Sequence, residues 1–80
     1  MYQVRLSSFP AAKLERVERI VQKHGQGQRA HEARVALLKQ VLAGQAQVIA
    51  DYAEEHAAHN VVAELAVQGA IGTVEKASPL

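Results

Sequence analysis

The sequence predicts an α+β domain: a β-α-α-β-α-β sandwich in which three helices cover a three-stranded antiparallel sheet. Two observations lead there. Apolar residues first alternate, at Tyr2, Val4 and Leu6, which is the period of a strand with one buried face; they then recur at helical spacing through Leu14, Val17, Ile20 and Val21. The exchange between the two periods continues down the chain, with two more helical stretches and two more strands. Eighty residues are enough for one core, so a single domain is expected over residues 1–77, followed by a short tail at 78–80.

The elements follow in order. Ser7-Ser8-Phe9-Pro10 supplies a turn and a helix start, with Pro10 where a missing amide hydrogen does no harm. The first helix is expected to run to about His24. Two glycines in His24-Gly25-Gln26-Gly27-Gln28 then break it. A second helix from about Arg29 to Leu42 is expected to bury Ala30, Ala33, Leu37, Leu38 and Val41, and Gly44 is placed to end it. Ala46, Val48, Ala50 and Tyr52 alternate as a second strand, and the misplaced Ile49 calls for a bulge or a second partly buried face. Asp51-Tyr52-Ala53-Glu54 has capping-box spacing, so the third helix is expected to start there, to bury Ala57, Val61 and Leu65, and to close at Gly69. Ile71, Thr73 and Val74 are β-branched and mark a last strand over Ala70 to Lys76.

Composition narrows the function classes. Nine basic and eight acidic side chains leave a net charge of +1, which gives no broad pull toward nucleic acid or anionic lipid. The basic residues gather early, in Lys13, Arg16, Arg19, Lys23 and Arg34, and one basic face could contact phosphates. Glu15 and Glu18 interrupt it, and a solvated helix surface is the simpler reading. Cysteine is absent, which removes disulfide and thiolate chemistry. Apolar runs fall short of the roughly 20 residues that cross a bilayer, and Met1-Tyr2-Gln3-Val4-Arg5 does not read as a secretory signal. The expectation is a cytoplasmic protein with no membrane partner.

Candidate chemistry is sparse. His56 and His59 are three apart on one helix, but a zinc centre wants three or four ligands, and no cofactor is expected. His24 and His31 flank the glycine loop, where capping or exposure accounts for them. Gly25-Gln26-Gly27 follows a helix and lacks the third glycine of a phosphate-cradling loop. Ser7 and Ser8 sit in no nucleophile elbow, and Tyr2, Phe9 and Tyr52 are too scattered to stack bases.

Met1-Tyr2-Gln3-Val4-Arg5-Leu6 through Leu14, Val17, Ile20 and Gln22-Lys23 resembles the ClpS family, adaptors of the Clp protease. Val41, Gly44 and Ala46, then Glu55 and Ala57, then Thr73-Val74-Glu75-Lys76-Ala77 follow the family's later landmarks. The resemblance implies the fold above, and an apolar pocket for the first residue of a substrate with polar side chains clamping its amino group. At the clamp positions this chain has Ser8, Phe9, Pro10 and Leu42, so the resemblance implies an adaptor that has lost the clamp. Gly25, Gly27, Glu32, Ala33 and Arg34 are similar to the glycine-rich turn and following helix of the ribosomal stalk protein's C-terminal domain, with Lys13 and Arg34 near its factor-binding positions.

Together these readings predict a non-enzymatic protein-interaction domain, with a Clp ATPase or a peptide or protein substrate as partner. Leu14, Val17, Val41 and Leu42 are the candidate apolar cleft, and Phe9, Lys13, Arg16 and Arg34 the candidate interaction surface. The competing readings are a translation-factor-binding domain of the stalk type, and a small metal- or ligand-binding protein using His24, His31, His56 or His59.

Overall fold

The computed structural model describes residues 1–24 and 30–76. They form an α+β domain with three helices and a three-stranded antiparallel sheet: β1 (Tyr2–Ser8), α1 (Leu14–His24), α2 (His31–Leu42), β2 (Gln47–Tyr52), α3 (Glu55–Val67) and β3 (Ile71–Lys76). The expected glycine loop, the helix start at Arg29, Ala77 and the tail at 78–80 lie outside the described residues.

β1 is the central strand, in the order β2-β1-β3. Val4 pairs with Ala50 on one side and Val74 on the other, and Arg5 pairs with Val48 and Thr73. Consecutive residues of β1 thus face Ala50 and Val48, leaving Ile49 as the extra residue of a bulge. The bulge lets Ile49 and Ala50 both turn inward, at 1% exposure each. It resolves the break in alternation seen in the sequence.

The helices pack on the side of Val4 and Leu6, both fully buried. From α1 come Val17, Ile20 and Val21; from α2, Leu37, Leu38 and Val41; from α3, Ala58, Val61 and Leu65. A fully buried Leu such as Leu38 or Leu65 contributes roughly 1.5–3 kcal/mol. The other face of the sheet carries Gln3, Arg5, Thr73 and Glu75, with Arg5 Nε donating to Glu75 Oε1 at 3.0 Å.

Gly44 and Gly69 end α2 and α3 as the sequence predicts, with φ of +98° and +78°. In each case the glycine amide and the one after it turn back to the last helical turn: Gly44 N–H to Val41 and Gln45 N–H to Gln40, then Gly69 N–H to Ala66 and Ala70 N–H to Leu65. These paired bonds satisfy carbonyls that a helix end leaves open.

Four local expectations are corrected. Phe9 is not an exposed anchor: it is buried in the core, and the chain turns over Pro10 into a short 3-10 turn at Ala11–Lys13 before α1. Asp51 and Tyr52 do not open α3, because pairing with Gln3 and Tyr2 keeps them in β2; Glu54 precedes the helix and makes no side-chain cap. In α3, Val61 and Leu65 are buried as expected, but Ala58, on the same face one turn before Val61 and two before Leu65, is buried with them and Ala57 is only half-buried. In α2, Ala30 and Ala33 are exposed, and Arg34 takes the buried place expected of an alanine.

Candidate functional site

Residues three and four apart on a helix share a face, so Leu14, Val17, Glu18 and Val21 form one stripe of α1, and Arg34, Leu37, Leu38 and Val41 one stripe of α2. Each stripe faces the core, and each carries one charge. Glu18 is 7% exposed and Arg34 6%; they are the buried charged side chains among the described residues. A charge in such a place needs a partner of opposite sign. Arg34 Nε donates to Glu18 Oε1 at 2.6 Å, and His31 Nδ1 lies 3.1 Å from the same oxygen, where the ring N–H donates. The hydrogen bond from Arg34 is the main reason the Glu18 carboxyl is held below the usual carboxylate value. Burial opposes the shift and His31 assists it.

The pair lies beside a cleft of ≈ 470 Å³ between α1 and α2, lined by Leu14, Glu15, Glu18, Arg19, His31 and Val35. Leu14 and Val35 are half-buried, so the cleft offers two apolar walls. Glu15 and Arg19 are exposed at its edge, and Glu18 is engaged on its inner side. The arrangement suits holding one apolar side chain with polar contacts around it.

A second polar cluster ties the far end of α1 to α3. His24 and Lys23 both reach the Glu64 carboxylate, Lys23 Nζ at 3.3 Å. The hydrogen bond from His24, with help from Lys23, holds the Glu64 carboxyl below its ordinary value. Tyr52 Oη donates to the His24 carbonyl at 2.6 Å, and burial pushes its hydroxyl above the ordinary value. These contacts fasten the end of α1 to the sheet and to α3.

The residues expected to form a site divide. Of the four cleft candidates, Leu14 faces the cleft, Val17 and Val41 are sealed in the core, and Leu42 is 42% exposed at the end of α2. Of the four surface candidates, Arg16 is exposed and Lys13 half-buried, whereas Phe9 and Arg34 are buried. Their burial removes both from the surface: Phe9 fills core volume and Arg34 spends its charge on Glu18. His56 and His59 are exposed near Glu54 and Glu55, and no group of three or more potential metal ligands occurs among the described residues. No helix there is long and apolar enough to cross a membrane.

Glu15, Glu18, Arg19, His31 and Val35 were not singled out for a cleft by the sequence. The available signal was a charge in a stripe position on each of two adjacent helices, with opposite signs. Comparison with protein-family models, curated proteins and solved structures gives no match, so the likeness to ClpS adaptors rests on the residues quoted for it alone.

Proposed function

We propose that this chain is a non-enzymatic protein-interaction domain that holds an apolar side chain of a partner protein in the cleft between α1 and α2. One observation carries the reading. A charged pair is buried beside the cleft, at a helix seam where an apolar pair of similar volume would hold α1 and α2 at least as firmly. Retaining charges there has a stability cost, and it fixes the relative placement of the half-buried Leu14 and Val35 walls. Glu15 and Arg19 at the edge add sign selectivity for residues flanking the inserted side chain.

An adaptor of the ClpS type without its amino-group clamp is the finer form of this proposal. Phe9 and Pro10, which stand where the resemblance puts clamp residues, offer no side-chain acceptor for an ammonium group. The partner segment is then recognised through an internal side chain rather than through its first nitrogen.

Selection of peptides from a random library on the immobilised domain tests this, followed by amide chemical-shift mapping with the selected peptide. The expected shifts fall on Leu14, Glu15, Glu18, Arg19, His31 and Val35, with binding unaffected by acetylating the peptide N-terminus and lost in Val35→Asp. Shifts confined to the open sheet face at Gln3, Arg5 and Thr73 contradict the proposal.

A further inference from the structure

The outward side of α2 carries a charge pattern that matches its own reverse. Glu32 and Lys39 stand seven residues apart, two helical turns, and therefore lie on one side of the helix, and both are exposed. Midway between them are half-buried Val35 and exposed Ala36. A depression of ≈ 330 Å³ runs along this face, lined by His31, Glu32, Val35, Ala36 and Lys39.

We propose that this face binds a second copy of the chain, with the two α2 helices antiparallel about a two-fold axis passing between Val35 and Ala36. Such an axis brings together positions equally distant from it on either side. Each Glu32 then stands level with Lys39 of the other copy, so the contact contains the same oppositely charged pair twice, as a self-complementary interface requires. Val35 of one copy meets Ala36 of the other, and the small alanine lets the helices approach closely while Val35 enters the facing depression. The antiparallel arrangement also opposes the two helix dipoles. Apolar contact at the centre supplies the attraction, and the charges at the rim fix direction and register.

The pattern selects this helix over its neighbour. The outward side of α1 carries Arg16, Arg19 and Lys23 against Glu15, and an antiparallel contact there that set Glu15 level with Lys23 would set Arg19 against itself. A parallel arrangement of α2 fails likewise, since it sets Glu32 level with Glu32 and Lys39 level with Lys39. The contact does not rest on the peptide-binding reading: His31 and Val35 line both depressions, so a bound peptide and a second copy compete there, but Glu32 and Lys39, the positions of charge exchange, line only this one.

Sedimentation equilibrium of the full chain tests the proposal through charge exchange at exposed positions. The wild-type chain is expected to dimerise reversibly, and Glu32→Lys or Lys39→Glu to weaken the dimer about tenfold, since each places two like-charged pairs in the contact. An equimolar mixture of the two single variants, and the double variant Glu32→Lys/Lys39→Glu, are expected to return to the wild-type constant, because each restores opposite charges at every facing position. Unchanged thermal unfolding of diluted monomers shows that the variants remain folded. A wild-type chain that stays monomeric at the highest concentration reached, or a dimer indifferent to Glu32→Lys, overturns the proposal, as does a double variant as weak as the singles.

Discussion

Two helix seams of this domain are held by different physics. α3 sits on the sheet through apolar side chains, Ala58, Val61 and Leu65 over Val4, Leu6 and Val74, and Leu65 and Val62 also pack close to Gly72. α1 and α2 meet partly through Glu18 and Arg34. Apolar contact is non-directional and tolerates small displacements, whereas a hydrogen-bonded ion pair fixes separation and orientation. The α3 seam is therefore a foundation, and the α1–α2 seam is a positioning device beside the cleft walled by Leu14 and Val35.

Breaking the positioning device alone is the most damaging change expected. Glu18→Ala removes a carboxylate hydrogen-bonded to a buried guanidinium and should lower the unfolding free energy by about 3–5 kcal/mol in urea titrations. Leu65→Ala attacks the foundation and should cost about 2–5 kcal/mol, toward the upper end because Leu65 is fully buried. The distinction lies in rescue: replacing both charges, in Glu18→Leu/Arg34→Met, should recover the stability lost in Glu18→Ala. No second change at a distance should recover Leu65→Ala.

Acid sharpens the contrast further. The Glu18 and Glu64 carboxyls are both held below the ordinary value of 4.5, so each stabilises the fold above that pH, and the contribution is lost as pH falls through the folded-state value. Thermal midpoints should therefore drop between about pH 5 and pH 3. Glu64→Gln should flatten this dependence only slightly, because its side chain is 36% exposed and water screens the pair. Glu18→Leu/Arg34→Met should flatten it more. A dependence unchanged by either variant would place the acid sensitivity elsewhere.

A smaller loss than at either buried site is expected at the turn between α3 and β3. Gly69→Ala sets a side chain in the left-handed region, and the new methyl would lie 3.2 Å from Pro10 Cγ. A loss of about 1–2 kcal/mol is expected in the same urea titrations.

Much of the architecture was legible because it rests on local rules. Strand alternation, helical stripes and the glycines at 44 and 69 each need only a few neighbouring residues, and Ile49 announced the bulge by failing the alternation. The start of α3 was misread because the capping-box spacing at Asp51 is local, while the pairing of Asp51 with Gln3 that overrides it spans the chain. Apart from Leu14, the lining of the cleft was missed for the same reason. Glu18 looked like an interruption of a basic face and Arg34 like a surface cation, and only the packing of α1 on α2 turns two apparent exceptions into one ion pair. Phe9 was misplaced on the surface because burial of a residue between elements depends on where the following turn directs it.

The most direct test of the claim that the ion pair serves the cleft rather than stability is to measure both properties in Glu18→Leu/Arg34→Met. The account predicts an unfolding free energy equal to or above wild type, together with weakened binding of a library-selected peptide at Leu14 and Val35. Full peptide affinity in a stable double variant, or a double variant as unstable as Glu18→Ala, would contradict it.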